Sequence, residues 1–202
     1  MLDSIAAEVS RCTLCPLAHG RVKAVPGEGP ATARVMLVGE APGHHENQQG
    51  RPFVGAAGQF LDELLGAAKL SRAEVYITNI VKCRPPGNRD PLPEEIAACS
   101  GFLTRQVEAL RPNVIVTLGR HSLGRFLPGE PISRVHGRPR RFDDLTVFPM
   151  YHPAAALHQP SLRRTLLDDM ARLPSVVADA QPVASAPVPA PQVEPPRQLS
   201  LF

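Results

Sequence analysis

The four cysteines of this 202-residue chain are its clearest candidate metal ligands. Cys12 and Cys15 form a C-x2-C pair, and Cys83 and Cys99 follow with 15 residues between them. In a reducing compartment, thiolates serve more often as metal ligands than as disulfide partners. Four of them can hold a tetrahedral zinc ion or an iron–sulfur cluster. One close pair and two single cysteines do not decide between these ligands, and buried cysteines without any ligand are a further alternative.

Polar side chains with catalytic chemistry follow three apolar runs of the sequence. Glu40 lies in GEAPG at 39–43, Asn79 ends a β-branched run, and His152 opens HPAA. A carboxylate can orient water, an amide can read a nucleobase edge, and an imidazole can polarise or protonate a bound group. Each also has a common structural explanation: a solvated Glu, a turn-forming or capping Asn, and a structural His.

Phe53 lies among small residues, in GRPFVGAAG at 50–58. A ring in such a loop can stack on a flat ligand, or it can simply pack beneath the loop. The stretch is not a P-loop, because the Lys-Ser/Thr ending of that motif is missing.

These residues need a framework that gathers strand ends, and the hydrophobic pattern predicts one. Strands are predicted at 34–39, 75–81, 114–118 and 145–151. Helices are predicted at 59–70, 93–110, 120–126 and 161–173. The alternation predicts an α/β fold, a three-layer α/β/α sandwich with a central, mainly parallel four-stranded sheet. Ligands of such sheets bind at the carboxyl ends of the strands, which is where the polar residues occur.

The composition favours a globular domain without a membrane segment. Hydrophobic residues make up 43% of the chain, yet no run approaches the length of a membrane span. The N-terminal stretch carries Asp3 and Glu8 and has no long apolar core, so we expect a cytoplasmic protein without a signal peptide. The net charge of +3 is compatible with nucleic-acid binding. Nineteen of the 22 basic residues are Arg, which suits phosphate contacts but equally reflects a GC-rich genome.

The pattern changes after position 173, which we take as the end of the domain at 1–173. Residues 174–197 are rich in Pro, Ala and Val, contain seven of the 23 prolines, and predict a disordered linker. The chain then closes with the apolar peptide QLSLF at 198–202.

Taken in order, these motifs resemble the family 4, or iron–sulfur, uracil-DNA glycosylases of the uracil-DNA glycosylase superfamily. The resemblance covers about residues 8–173 and includes the four cysteines. Its motifs are GEAPG at 39–43, GRPFVGAAG at 50–58, TNIVKCRPPGNR at 78–89 and HPAA at 152–155.

The resemblance implies a pocket for a flipped uracil and assigns roles within it. Phe53 would stack on the base, and Asn79 would hydrogen-bond its edge. His152 would face uracil O2, and Glu40 would lie beside the glycosidic bond and the attacking water. Gly39, Ala41 and Glu46 would complete the substrate-binding wall.

The resemblance also implies a DNA surface and a cofactor. Leu157 would wedge into the vacated base stack. Phosphate contacts would come from Arg84, Arg89, Arg163 and Arg164. A structural [4Fe–4S] cluster would be held by Cys12, Cys15, Cys83 and Cys99. The substrate would be uracil-containing DNA, single- or double-stranded.

Two features test this assignment. The family often has Glu-Asp where this chain has Glu46-Asn47, preceded by His44 and His45. A related branch binds uracil-DNA covalently through a His in a basic insert, and the stretch 83–89 carries no such His. We therefore expect turnover. The alternatives are a non-catalytic or covalent uracil-DNA or single-strand binding module, and a zinc-stapled interaction protein.

The peptide at 198–202 resembles the short motif that docks on the bacterial replication sliding clamp. Gln198 would supply a polar anchor, and Leu199, Leu201 and Phe202 an apolar plug. A flexible tether would raise the local concentration of the enzyme at replicating DNA. We accordingly expect a monomer that is associated with the nucleoid through DNA and the clamp.

Overall fold

A computed structural model describes residues 1–180 of the chain, and a five-stranded sheet with the order β2-β1-β3-β5-β4 forms its centre. The strands are β1 (Val35–Gly39), β2 (Val75–Asn79), β3 (Val114–Leu118), β4 (Arg140–Phe142) and β5 (Leu145–Met150). β1 pairs in parallel with β2 and β3, and β3 in parallel with β5. The predicted α/β fold with a mainly parallel sheet is confirmed.

The prediction of four strands was wrong, because β4 is a fifth. This strand has only three residues, of which Arg140 and Arg141 are exposed. It pairs antiparallel with β5 at the edge of the sheet, where a strand needs no apolar face of its own. A short, charged edge strand leaves no hydrophobic pattern in the sequence, which is why the prediction missed it.

Helices cover both faces of the sheet and complete the three layers. They are α1 (Leu2–Arg11), α2 (His44–Gln49), α3 (Ala56–Ala67), α4 (Pro93–Leu110), α5 (Arg120–Phe126), α6 (Ile132–Val135), α7 (Pro153–His158), α8 (Leu162–Met170) and α9 (Leu173–Asp179). Side chains alternate along β1, so that Leu37 packs with α3 and α8 and Met36 packs with α1 and α4. Within residues 1–180, no helix is both long and apolar enough to cross a membrane.

The end of the domain lies beyond the predicted boundary at 173. The predicted linker at 174–197 was wrong in its first residues, since α9 covers Leu173–Asp179. Pro174 is tolerated in the first turn of a helix, and Val176 packs into the core that α3 and α8 share. The folded domain therefore includes Pro174 and the apolar residues of α9 that follow it. The rest of that linker and the peptide at 198–202 lie outside the described residues.

The parallel strands end at one edge of the sheet, and the chain turns there into the loops that carry the predicted site residues. Gly39 ends β1 and is paired in register with Asn79, which ends β2. β5 ends at Met150, and His152 is the N-cap residue of α7 directly afterwards. Glu40, Asn79 and His152 therefore meet at this edge.

Candidate active site

A cleft of about 750 Å³ opens at the carboxyl ends of the strands. That volume is within the range of pockets that enclose a small organic ligand. The cleft brings together residues that lie more than a hundred positions apart in the chain. The predicted site residues on its wall are Glu40, Ala41, Glu46, Phe53, Asn79, Arg89 and His152.

Gly39 allows two of these side chains to approach the end of β1. A Cβ at this position would lie 2.4 Å from Asn79 Oδ1 and 2.6 Å from Phe53 Cζ. Real Cβ atoms do not come so close to another heavy atom, so any larger residue would displace both side chains. Gly39 therefore leaves room for the Phe53 ring and the Asn79 amide.

Asn79 offers a free amide inside the cleft. The residue is 1% exposed, and within residues 1–180 neither Nδ2 nor Oδ1 has a hydrogen-bond partner. A buried polar group without a partner costs about 1–3 kcal/mol, and native proteins keep few of them. An amide held in this way on the wall of a cleft is suited to a ligand that presents both an acceptor and a donor.

The His152 ring lies next to the Phe53 ring on the wall of the cleft. The two rings are stacked with their centroids 5.7 Å apart and their planes inclined by 26°. The Ala154 N–H donates to His152 Nδ1 at 3.1 Å, which leaves the proton of the neutral imidazole on Nε2. Burial lowers the pKa of His152 to about 4, so the ring is neutral at physiological pH. It can then donate one hydrogen bond from Nε2.

Glu46 connects the two loops on either side of the cleft mouth. Its carboxylate accepts from the Val54 N–H at 2.8 Å, the Gly55 N–H at 2.9 Å and the Gly43 N–H at 3.1 Å. Asn47, which departs from the family pattern, is buried, and its Oδ1 accepts from the Val22 N–H at 2.9 Å. The side chains of Glu46 and Asn47 both hold the backbone of neighbouring segments in place. Asn47 therefore has a structural role in this chain.

Glu40 belongs to a polar group that sequence reasoning did not assemble. Its carboxylate lies 3.8 Å from His121 Nε2, and His121 lies 3.3 Å from Asp90 Oδ2. Arg120 also forms an ion pair with Asp90. Burial raises the pKa of Glu40, and the neighbouring His121 opposes that shift. His121 follows the carboxyl end of β3, so the rule that ligands bind at strand ends would have found it.

The predicted DNA-contacting residues differ in how firmly the protein holds them. Arg89 lines the cleft and forms a bidentate pair with the buried carboxylate of Glu95, at 2.7 and 2.9 Å. Arg84 Nε donates to Asn88 Oδ1 at 2.7 Å, and on α7 Leu157 is 47% exposed.

Among residues 1–180, the two arginines of α8 are not part of the cleft wall. Arg163 pairs with Glu63 of α3 and lies 4.5 Å from the centroid of the Phe60 ring. Arg164 is mostly exposed and is 3.0 Å from Asp168. Arg163 is thus engaged within the protein, whereas Arg164 presents its guanidinium to solvent.

The four cysteines line one cavity between α1, α4 and the chain that follows β2. All four are free thiols, with Cys83 and Cys99 buried and Cys12 and Cys15 half-buried. Arg21 Nη1 donates to Cys83 Sγ at 3.4 Å. Burial raises the pKa of Cys83 and raises that of Cys99 to about 11. These sulfurs, gathered from three separate stretches of sequence, could hold a metal ion or cluster.

Comparison with known proteins agrees with this geometry. The model of the uracil DNA glycosylase superfamily matches residues 26–171. A type-4 uracil-DNA glycosylase of Saccharolobus solfataricus is 48% identical over 185 residues, covering 85% of this chain and 84% of that protein. A type-4 uracil-DNA glycosylase of Archaeoglobus fulgidus is 44% identical over 190 residues, covering 90% of this chain and 96% of its own length. One from Thermotoga maritima is 43% identical over 182 residues, covering 88% and 95%.

A parallel sheet with a cleft at its carboxyl edge, together with this match, defines the class: the chain belongs to the uracil-DNA glycosylase superfamily. Within the superfamily it falls in the type-4 branch, as the motifs and the cysteine spacing predict.

Proposed function

We propose that this protein is a monofunctional uracil-DNA glycosylase of DNA repair. It hydrolyses the N-glycosidic bond of a deoxyuridine in DNA and leaves an abasic site. The observation that carries the proposal is the free, buried amide of Asn79, in one cleft with the Phe53 ring and neutral His152. A base stacked in a duplex cannot enter such a cleft, so the uracil must first be flipped out.

Recognition of uracil rests on Asn79 and Phe53. The Asn79 Nδ2 donates to uracil O4, and its Oδ1 accepts from N3–H. With the amide in this orientation, cytosine presents a donor to Nδ2 and an acceptor to Oδ1, so neither amide atom would have a partner. The Phe53 ring replaces the stacking that the base loses when it leaves the helix. The discrimination follows from the desolvation cost of an unpaired amide.

Departure of the base is assisted by His152. As the C–N bond breaks, negative charge develops on the uracil ring and is largest at its oxygens. The Nε2–H of neutral His152 donates to O2 and stabilises this charge. Because the pKa of His152 is lowered by burial, the residue acts as a hydrogen-bond donor rather than as a proton donor at physiological pH.

Glu40 acts on the opposite side of the bond. The sugar gains positive charge as the base leaves, and a carboxylate stabilises that charge and orients the water that attacks the anomeric carbon. Burial raises the pKa of Glu40, and the neighbouring His121, at 3.8 Å, opposes that shift. Glu40 accepts the proton that the water loses as its oxygen bonds to the anomeric carbon.

The DNA strand runs across the rim of the cleft. Leu157 is exposed and enters the gap in the base stack. Arg84, Arg89 and Arg164 contact phosphates on either side of the flipped nucleotide. Arg163 contributes a further phosphate contact; its ion pair with Glu63 competes with that contact, as do the ion pairs of Arg89 with Glu95 and of Arg164 with Asp168.

The cysteines hold a structural [4Fe–4S] cluster. The sulfurs line a shared cavity. A single zinc ion with Zn–S bonds of about 2.3 Å needs sulfurs roughly 3.8 Å apart. Among residues 1–180, no three of the cysteine sulfurs lie within 4.8 Å of one another, so they are not arranged for a single zinc ion. Cys12 and Cys15, before β1, and Cys83 and Cys99, after β2, would hold the cluster and so tie these two parts of the chain together. Hydrolysis itself transfers no electrons.

The remaining expectations concern partners and location. The peptide at 198–202 binds the replication sliding clamp, and this contact together with DNA keeps the enzyme at the nucleoid. The enzyme acts as a monomer.

The proposal is tested by uracil release from a labelled single-stranded oligonucleotide, followed by alkaline cleavage at abasic sites. Wild type is compared with His152→Ala and Asn79→Ala, and a cytosine oligonucleotide is the substrate control. We expect release by wild type and a loss of roughly 100-fold or more in each variant. Retention of uracil-DNA without release would instead establish a binding module.

The cofactor is tested on the same preparation. Iron and acid-labile sulfide in a ratio of one to one, with broad visible absorption, support the cluster. A colourless protein with stoichiometric zinc would support a zinc staple.

A further inference from the structure

Phe53 has an unusual backbone conformation for a bulky residue. Its φ is +52°, in the left-handed region that side chains other than Gly, Asn and Asp rarely occupy. The conformation aims the ring toward Gly39 and the cleft. A return to negative φ would turn the Cα–Cβ bond away and remove the ring from this position. Something in the protein must therefore hold the turn.

Arg72 holds that turn from behind. Its guanidinium donates to the carbonyl oxygens of Pro52, at 3.1 Å, and of Phe53. The side chain is 23% exposed and lies outside the described set of residues that line the cleft. One guanidinium thus binds the two carbonyls that precede and follow the strained φ angle.

Two carboxylates orient the guanidinium. Asp62 of α3 accepts from Arg72 Nε at 2.6 Å, and Glu28 accepts from Nη1 at 3.1 Å. A guanidinium is planar and has five N–H donors, so it can bind two carboxylates and two carbonyl oxygens at once. The ammonium group of a lysine cannot do this. The turn is also closely packed on its other side, since a Cβ at Gly58 would lie 1.8 Å from the Phe53 oxygen.

From this arrangement we propose that Arg72 is a positioning residue for uracil recognition: it holds the Phe53 turn in the left-handed conformation that places the ring on the base. The inference rests on the proposed glycosylase function. It assigns to Arg72 an effect on catalysis that acts wholly through Phe53, without contact with the base.

Arg51 provides a matched control. It forms an ion pair with the same Glu28, at 2.7 Å, and is more exposed than Arg72. Unlike Arg72, it makes no described hydrogen bond to the Phe53 turn. If Arg72 served only as part of a surface ion-pair network, Arg51→Ala and Arg72→Ala would have similar effects.

The test is a double-mutant cycle on the holoenzyme. Arg72→Ala, Phe53→Ala, the double variant and Arg51→Ala are compared for kcat/KM on a short uracil oligonucleotide and for inhibition by free uracil. We expect Arg72→Ala to lower kcat/KM roughly 10- to 100-fold and to weaken inhibition by uracil. In the Phe53→Ala background, the same change should lower kcat/KM less than about twofold. Arg51→Ala should remain near wild type.

Other results would overturn the inference while leaving the function intact. Wild-type rates and uracil inhibition in Arg72→Ala would do so, as would full additivity with Phe53→Ala. If Arg72→Ala does not fold, Arg72→Lys replaces it in the cycle, with the same criterion of non-additivity. Absence of uracil release by wild type is a different outcome, because it removes the proposed function itself.

Discussion

Gly39 and Asn79 lie so close at the ends of β1 and β2 that a Cβ on the glycine would come within 2.4 Å of the Asn79 Oδ1. The two residues are also paired in the strand register. Because the glycine has no side chain, both the Asn79 amide and the Phe53 ring fit at the carboxyl edge of the sheet.

Gly39→Ala should therefore abolish most uracil release while the fold persists. The new methyl group must displace the Asn79 amide or the Phe53 ring, and overpacking of this kind costs about 1–3 kcal/mol of stability. We expect kcat/KM to fall roughly 100-fold, because small displacements of positioning groups have effects of that size. Single-turnover assays and urea unfolding measure the two effects separately.

Gly66→Ala is the control for that substitution. Gly66 lies within α3, and a Cβ there would meet nothing within 4 Å. The variant should keep wild-type activity and gain about 0.5–1 kcal/mol in the free energy of unfolding, since Ala favours helix over Gly. Equal activity in both glycine variants would contradict the steric role of Gly39.

Asn79→Leu should separate stability from function. The substitution replaces a buried amide that has no partner within residues 1–180 by an apolar side chain of similar volume. We expect the free energy of unfolding to rise by about 1–3 kcal/mol, because the unpaired amide is removed, while uracil release is lost. Chemical denaturation and the oligonucleotide assay test this. A destabilised variant would mean that the amide already has a stabilising contact.

Much of the fold and site could be predicted because the strands, and the polar residues that follow them, can be recognised from short stretches of sequence. β1, β2 and β3 are buried along their whole length, and such strands form short apolar runs. The carboxyl ends of parallel strands meet at one edge, so Glu40, Asn79 and His152 could be expected together.

The features that were missed depend on contacts between distant segments. Asp90 reaches Glu40 and His121 only because the loop after β2 meets the start of α5. Arg72 reaches the Phe53 turn from a short helix before β2. Neither relationship has a periodicity or motif. Both follow from tertiary packing, which a single sequence does not display.

His152 should stay neutral well below the ordinary pKa of histidine. Burial lowers its pKa to about 4 in the folded state, whereas the unfolded value is about 6.5. Between these values only the unfolded chain takes up the proton. The contribution of the residue to stability is therefore complete above pH ~6.5 and declines as the pH falls toward ~4.

NMR of the imidazole nitrogens should show a protonated Nε2 and an unprotonated Nδ1, unchanged from pH 8 to about pH 5. The His152→Ala variant identifies the signals. A titration midpoint near 6.5 would contradict the assigned tautomer and the role of His152 as a neutral donor.

Deleting residues 198–202 should abolish retention of the protein on immobilised sliding clamp and leave uracil release from a short oligonucleotide unchanged. The reason is that, within residues 1–180, the cleft is lined by residues between positions 40 and 158, far from the peptide in sequence. Replacing Leu201 and Phe202 by Ala in the full-length chain is the finer variant. Clamp retention that survives both changes would remove the clamp from the list of partners.

Val176→Ala tests where the domain ends. If residues from 174 onward were linker, removing two carbons from Val176 would leave stability unchanged. In the structure Val176 of α9 packs with α3 and α8, so we expect a loss of about 1–3 kcal/mol in the free energy of unfolding. Ser175→Ala, at the exposed neighbouring position, should change it by less than about 0.5 kcal/mol. Urea unfolding of the two variants measures the difference, and equal midpoints would return the boundary to 173.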